Sequence, residues 1–303
     1  FETGTRKPTR DQLLKLAAVL EIDLETLMVA WLKEKILYEI GDEEFALKAM
    51  KVAEEEIRYQ AKTAKKVSGS LQKILAEIDT LKTKLDRFRE FDSYRITQAL
   101  ELEYTFESNR IEGNTLTLRE TDLVINEGLT VSGKRMREHL EAINHQEALG
   151  YIKHLMEKNS LLNEREVLSI HNLILRGIHP EDAGRYRKVQ VMIKGSTYMP
   201  PQPYMVSKQM EDYFIWYEAN KNSLHPVILA GEMHERLVTI HPFVDGNGRT
   251  SRLVMNLILL SHGYIIANIK GDYDTRMQYY QTLEKAQTTS DKEDFLLFIA
   301  QIE

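Results

Sequence analysis

Residues 241–252 bring together, in one short stretch, the groups that phosphate chemistry requires. The stretch reads His-Pro-Phe-Val-Asp-Gly-Asn-Gly-Arg-Thr-Ser-Arg, and an apolar run typical of a buried helix follows it. Gly246, Asn247 and Gly248 form a turn whose backbone N–H groups can point inward, because glycine carries no Cβ. The helix that follows offers unpaired N–H groups and the positive end of its dipole to an anion. The sequence therefore predicts a phosphate cradle.

Four side chains around this turn extend the predicted site. Arg249 and Arg252 are spaced three positions apart, so both project from one side of the first helical turn and can bind phosphate oxygens. Asp245 supplies a carboxylate, which is how proteins usually hold Mg²⁺ together with substrate phosphates. His241 lies just before the turn, where its imidazole could accept a proton from a hydroxyl. A structural histidine and two solvated arginines are the alternative, but the coincidence of all these groups favours a nucleotide-phosphate site with a general base.

The same stretch resembles the signature of the Fic family, His-x-Phe-x-(Asp/Glu)-Gly-Asn-Gly-Arg-x-x-Arg, at every defined position. Fic proteins are mostly adenylyltransferases that move AMP from ATP to a hydroxyl side chain of a target protein, so the resemblance implies that activity with ATP and Mg²⁺. It implies that His241 deprotonates the target hydroxyl, that Asp245 holds Mg²⁺ on the α- and β-phosphates, and that residues 246–248 form the anion hole. Arg249 would contact the β-phosphate region and Arg252 the γ-phosphate.

A second stretch, Ser-Asn-Arg-Ile-Glu-Gly-Asn, begins at Ser108. Gly113 predicts the end of a helix that begins near Ile96. Glu112 would then lie against the negative end of the helix dipole, where a partner cation would stabilise it. The stretch matches the self-inhibition motif of Fic proteins, Ser/Thr-x-x-x-Glu-Gly/Asn. The resemblance implies that Glu112 pairs with Arg252 in the space of the γ-phosphate and that Ser108 braces Glu112. Some self-inhibited Fic proteins also remove AMP, with the inhibitory glutamate positioning water, so the resemblance leaves removal of AMP open for this chain.

Two more regions would complete such a site. The best hairpin candidate in the chain has β-branched residues before a Lys-Gly-Ser turn; it consists of Val191, Met192, Ile193, Lys194, Gly195, Ser196, Thr197 and Tyr198. In Fic proteins a hairpin flap binds an extended segment of the target protein by strand addition, and the resemblance implies this role here. The resemblance also places the adenine base near Tyr279 and Tyr280, between which the sequence does not choose.

Apolar periodicity predicts helices along most of the chain, hence a mainly α fold with one small β-hairpin. The resemblance implies that residues 93–303 form a Fic-type helical bundle. We expect a helical segment over residues 1–65 and a helical linker over residues 66–92, whose short heptad pattern leaves a homodimer open. Residues 1–40 resemble the C-terminal half of a lambda-repressor-like helix-turn-helix domain, with a generic helical pair as the alternative. The recognition helix would lie upstream, so we expect DNA binding only through such a segment.

Composition excludes several classes of protein. The 303 residues are 43% hydrophobic and carry a net charge of −6, which supports a globular core and argues against a basic nucleic-acid-binding surface. The absence of cysteine excludes disulfides and thiol catalysis. Since neither a membrane-spanning apolar run nor a signal peptide is visible, we expect a cytoplasmic protein.

Two other functions stay open at this stage. Some Fic relatives transfer UMP, phosphocholine or phosphate, although phosphate transfer goes with departures in the Gly-Asn-Gly-Arg stretch that this chain does not show. The partial helix-turn-helix resemblance also fits a transcriptional regulator that uses the Fic part as a nucleotide sensor.

Overall fold

The structure, a computed structural model, describes residues 12–13, 19–20, 23–41, 43–51, 54, 68–88, 94–158 and 162–303. The chain divides into two compact units, residues 1–66 and 67–303. The helices with described bounds are α1 (Leu24–Ile40), α2 (Gly69–Phe88), α3 (Tyr94–Ile111), α4 (Leu118–Asn126), α5 (Met136–Glu157), α6 (Glu164–Leu175), α7 (Pro203–Asn220), α8 (Pro226–Ile240), α9 (Asn247–Ser261), α10 (Tyr273–Thr289) and α11 (Glu293–Ile302). The prediction of a mainly α fold is confirmed.

In the first unit, the first turn of α1 is capped by a side chain. The Asp23 carboxylate accepts a hydrogen bond from the Thr26 backbone N–H at 2.9 Å, which satisfies one of the free donors of the first turn. The helix-turn-helix resemblance also rests on residues 1–11, 14–18 and 21–22, which lie outside the described residues, so that resemblance stays a prediction.

In the second unit, α9 is the central helix. Every residue from Arg249 to Leu259 is buried, and α3, α5, α6 and α8 pack around the helix. Charged side chains are almost never fully buried without partners. The two arginines of its first turn therefore need specific contacts, and the surrounding helices supply them.

The first half of α2 packs against the other helices of this unit. Leu71, Leu75 and Ile78 belong to the main hydrophobic core, whereas Leu81 and Leu85 of the heptad pattern are exposed. The predicted boundaries at residues 65 and 92, and a homodimer, stay predictions. Across the part of the chain that the structure describes, no helix has the length and apolar character needed to cross a membrane.

The predicted β-hairpin is wrong. Residues 191–198 form a turn at Lys194 and Gly195, where Gly195 has a φ of 82°, but no strand is present among the described residues. Pro200 and Pro201 follow closely and have no N–H group for a ladder. Side chains join the two arms instead: the Gln190 amide donates to the Pro200 carbonyl at 2.9 Å.

Candidate functional site

The turn between α8 and α9 is closed by its own asparagine. The Asn247 side chain accepts from the Phe243 N–H at 3.0 Å and donates to the Phe243 carbonyl at 2.9 Å. Gly246 has a φ of 78°, and a Cβ there would lie 3.2 Å from Ile174 and 3.4 Å from His171. Glycine is therefore required both for the backbone conformation and for the close packing against α6. These contacts fix the position of the turn at the start of α9.

His241 is the residue that ends α8, in a left-handed conformation with φ 50°. Its Nδ1 lies 3.1 Å from the Val238 carbonyl, which can only accept, so Nδ1 carries the proton and Nε2 has a free lone pair. Burial lowers the pKa of His241 below its ordinary value, and the bond to Val238 only partly opposes this shift. The imidazole is therefore neutral near pH 7, as a general base must be.

His171 on α6 supports the turn, a role that the sequence did not reveal. Its ring stacks on Phe243 with centroids 3.6 Å apart. Nδ1 accepts from the Gly184 N–H at 3.0 Å, and Nε2 donates to the Asp245 carbonyl at 2.9 Å. Burial lowers the pKa of His171 to about 4, which keeps this ring neutral.

Asp245 lies at the mouth of the turn between two arginines. Its Oδ1 accepts from the Gly246 N–H at 2.6 Å and lies 3.4 Å from Arg249 Nη2, while Oδ2 accepts from Arg137 Nη2 at 2.7 Å. Burial acts to raise the pKa of Asp245, but the charge of Arg249, the Gly246 N–H and Arg137 together lower it. The carboxylate is ionised and partly accessible.

Arg249 is buried, and some of its N–H groups donate no hydrogen bond within the described residues. Its Nη1 lies 3.6 Å from Glu141 Oε1, beyond hydrogen-bond distance. Its Nε and Nη1 are buried without a hydrogen-bond partner among the described residues. Unpaired buried donors are rare and need an explanation, and a bound anion is one.

Arg252, one turn further along α9, is held by the end of α3. Its Nε donates to Ser108 Oγ at 3.0 Å, and its Nη2 donates to the Ser108 carbonyl at 2.9 Å and to Glu112 Oε1 at 2.7 Å. Nη1 is buried and has no hydrogen-bond partner within the described ranges. The predicted pairing of Glu112 with Arg252 is therefore present, and Ser108 braces the arginine rather than the glutamate.

Glu112 lies over the predicted anion hole. It follows the last residue of α3, and Gly113 after it has a φ of 94°. A Cβ added to Gly248 would overlap the Glu112 carboxylate. A carboxylate of the chain itself is therefore seated against the first turn of α9.

The two tyrosines of α10 have different surroundings. Tyr279 is buried, and its hydroxyl shares a hydrogen bond of 3.0 Å with His234 Nε2. Tyr280 is 41% exposed, and its hydroxyl donates to the Ile111 carbonyl at 3.1 Å, next to Glu112. Of the two tyrosines, only Tyr280 is exposed at this edge of the site.

The segment from Val191 to Tyr198 is attached to the site at both ends. Glu284 of α10 accepts from Ser196 Oγ at 3.0 Å and from the Thr197 N–H at 2.6 Å. Arg187 donates to the His241 carbonyl at 2.8 Å and to the Pro201 carbonyl at 2.6 Å. Neither Glu284 nor Arg187 stands in a motif that could have indicated its role.

A buried carboxylate, Glu141 on α5, joins three parts of the site. Its Oε1 accepts from Arg137 Nε at 2.9 Å, and its Oε2 accepts from Asn114 Nδ2 at 3.0 Å. Arg249 lies on its other side, as described above. The polypeptide just after Glu112 is thus connected to the charged groups around Asp245.

The sequence and the fold were compared with those of known proteins. Residues 161–259 match the model of the Fic/DOC family. A relative from Nematostella vectensis, named protein adenylyltransferase Fic, is 38% identical over 200 residues, which cover 65% of this chain and 46% of that protein. A relative of the same name from Drosophila mojavensis is 34% identical over 249 residues, covering 81% of this chain and 49% of that protein. The chain thus spans about half the length of these relatives.

Two solved structures share the fold. Fic-1 from C. elegans superposes with a TM-score of 0.70 and 25% identity, covering 99% of this chain and 86% of that chain. A Fic-domain-containing signaling protein from Bacteroides thetaiotaomicron has a TM-score of 0.68 and 27% identity, covering 75% of this chain and 91% of that chain.

Proposed function

We propose that this chain, which belongs to the Fic/DOC family, transfers AMP from ATP to a hydroxyl side chain of a target protein. In this reaction the hydroxyl oxygen forms a bond to the α-phosphorus, the bond from that phosphorus to the α,β-bridging oxygen breaks, and pyrophosphate leaves. The names of the two relatives support adenylyl transfer. One observation carries the whole proposal. The first turn of α9 contains two buried arginines with unpaired N–H groups, and the Glu112 carboxylate already lies against that turn.

His241 is the proposed base. Its Nε2 takes the proton of the attacking hydroxyl, since Nδ1 is committed to the Val238 carbonyl. The imidazole is neutral before the reaction and becomes positively charged while pyrophosphate departs. Burial therefore helps to keep the base ready, and the Val238 carbonyl stabilises its protonated form.

The phosphates of ATP fit the donors around α9. The backbone N–H groups of Asn247 and Gly248, the unpaired Nε and Nη1 of Arg249, and the unpaired Nη1 of Arg252 are all donors, as an anionic ligand requires. The Gly246 N–H instead donates to Asp245. Mg²⁺ also fits, because Asp245 is an ionised oxygen ligand with a partly exposed side chain. When bound, Mg²⁺ would neutralise charge on the phosphates. Tyr280 is the proposed contact of the adenine ring.

Glu112 is the proposed inhibitor. Its carboxylate accepts a hydrogen bond from Arg252 Nη2 and lies against Gly248. A γ-phosphate that binds Arg252 would therefore compete with the Glu112 carboxylate for the same space. Two anions in one site repel each other. ATP that binds while Glu112 stays in place is expected to be misaligned for attack at the α-phosphorus.

The target protein is proposed to bind along residues 191–198. These residues lie between Glu284 and the end of α8, where the Tyr198 hydroxyl donates to the Thr239 carbonyl at 3.2 Å, two residues before His241. Their side chains alternate between partly buried and exposed from Val191 to Lys194, the pattern of a segment that could pair with a strand of the target.

A label-transfer assay tests the proposal. ATP with radioactive phosphorus in the α-position is incubated with a cell lysate and with each of three proteins: the wild type, Glu112→Gly, and Glu112→Gly combined with His241→Ala. We expect weak labelling of protein by the first, strong labelling by the second and none by the third. A silent Glu112→Gly variant that still binds ATP would contradict adenylyl transfer and favour a nucleotide sensor. UTP and CDP-choline, each labelled in the transferred group, serve as parallel donors.

A further inference from the structure

Arg137 of α5 covers the outward oxygen of Asp245. Its Nη2 donates to Oδ2 at 2.7 Å, whereas Oδ1 is turned inward to the Gly246 N–H at 2.6 Å and to Arg249. Oδ2 is thus the oxygen that a metal ion on bound phosphates would reach, and a protein cation already holds it. No motif in the sequence assigns a role to Arg137.

The contact is of a kind that can open. The side chain of Arg137 is 48% exposed and that of Asp245 36% exposed, so water and salt weaken their attraction. The Nε atom of Arg137 is separately fixed to Glu141 at 2.9 Å, and its Nη1 lies 3.4 Å from His179 Nε2. The guanidinium therefore has a second carboxylate that keeps it at the site when Nη2 leaves Asp245.

Asp245 does not need Arg137 to keep its orientation. The Gly246 N–H and Arg249 fix Oδ1, and the Asp245 carbonyl is fixed separately by His171 at 2.9 Å. Removing the guanidinium would leave a carboxylate that still faces the same way, with Oδ2 free. A merely structural role for the arginine would predict the opposite, a disordered carboxylate that binds metal less well.

We propose that Arg137 is a displaceable cation of the protein that competes with the metal ion for Oδ2 of Asp245 and thereby weakens metal binding. This inference rests on the proposed role of Asp245 as the metal ligand. A divalent ion must displace the Nη2 contact before it can bind, and the displaced guanidinium remains paired with Glu141. Arg137 is thus a residue that sets the metal concentration at which the site fills.

Binding of Mn²⁺ tests this proposal without relying on activity. Free Mn²⁺ is measured by its paramagnetic resonance signal during titration of the protein in the presence of a fixed concentration of a non-hydrolysable ATP analogue. All proteins carry His241→Ala, so that no transfer occurs. Asp245→Ala defines the binding that belongs to the site. Arg137→Met keeps an unbranched apolar stem without the guanidinium and its charge, and Arg119→Ala removes an equal charge from an exposed position of α4.

We expect Arg137→Met to bind Mn²⁺ about two- to fivefold more tightly, the range that a pair of this exposure allows, and Arg119→Ala to leave the affinity unchanged. Arg137→Lys, which keeps the charge but cannot contact Asp245 and Glu141 together, should lie between the wild type and Arg137→Met. Unchanged or weaker binding in a folded Arg137→Met protein would overturn the proposal. If Asp245→Ala loses no Mn²⁺, the metal role of Asp245 fails instead, and the label-transfer assay reports on adenylyl transfer separately.

Discussion

Arg252 contacts Glu112 and the Ser108 carbonyl through one and the same atom, Nη2, at 2.7 and 2.9 Å. A guanidinium and a carboxylate can form a bidentate pair, but Nη1 of Arg252 has no hydrogen-bond partner among the described residues. Glu112 is therefore held at a single point, and its side chain is 34% exposed. A ligand that offers several oxygens to the same arginine can replace it.

The first prediction concerns the charge of Glu112. Glutamine has the same shape and can still accept from Arg252, but it lacks the charge that repels a phosphate. We expect Glu112→Gln to transfer AMP faster than the wild type and more slowly than Glu112→Gly, with the whole range spanning roughly 5- to 150-fold. Initial rates of label incorporation at equal ATP concentration measure this order. Glu103→Gln, on the same helix, is the control, and an equal gain there would contradict the role of Glu112.

The second prediction concerns Gly248. An added Cβ would overlap the Glu112 carboxylate and lie 3.0 Å from Arg252 Nη1. We expect Gly248→Ala to lower the free energy of unfolding by about 1–3 kcal/mol in the wild type and by clearly less when Glu112 is glycine. Urea unfolding of the four proteins in this cycle gives the coupling energy. Equal costs in both backgrounds would mean that Glu112 does not lie against Gly248.

The third prediction separates the two tyrosines. Tyr280→Ala removes an exposed ring at the edge of the site, so we expect weaker binding of an ATP analogue and a small change in stability. Tyr279→Phe removes the buried hydrogen bond to His234, so we expect a loss of about 1 kcal/mol in the free energy of unfolding and unchanged nucleotide affinity. Calorimetric titration and urea unfolding of both variants provide the test, and unchanged nucleotide affinity in Tyr280→Ala would contradict the proposed adenine contact.

The fourth prediction concerns acid. Burial lowers the pKa of His171 to about 4 and that of His234 to about 3. The unfolded chain, with histidine pKa values near 6.5, binds more protons below that pH, so stability is complete above pH 6.5 and falls as the pH drops towards 4. Each of these two histidines should lower the free energy of unfolding by roughly 2 kcal/mol as the pH falls from 7 to 5.

Urea unfolding at several pH values checks this effect. His234→Leu should reduce the slope of the unfolding free energy against pH by the amount that corresponds to about one proton. This holds whatever the effect of the substitution on stability at pH 7. His154→Leu, at an exposed position of α5, should leave the slope unchanged. An unaltered slope in His234→Leu would show that this ring is not kept neutral by the fold.

The parts of the site that are local in sequence could be predicted. Gly113 ends the helix α3 as predicted, because the end of a helix depends on neighbouring residues. Arg137 and Asp245, in contrast, are 108 positions apart, and no periodicity or motif connects them. The hairpin prediction was wrong for a similar reason. The turn, which depends on neighbouring residues, is present, but side-chain contacts of Gln190 and Glu284 stand where the backbone pairing of two strands was predicted.

The hydrogen bond between Asn114 and Glu141 connects the proposed inhibitory part of the site with the proposed metal-binding part. Asn114 lies two residues after Glu112, and Glu141 holds Arg137 and faces Arg249. Under the proposed function, coupling between the two parts is reciprocal: whatever factor Glu112 takes from the affinity for nucleotide and metal, these ligands take from the equilibrium that keeps Glu112 on Arg252. The proposed inhibition would then weaken by mass action as the concentrations of nucleotide and metal rise.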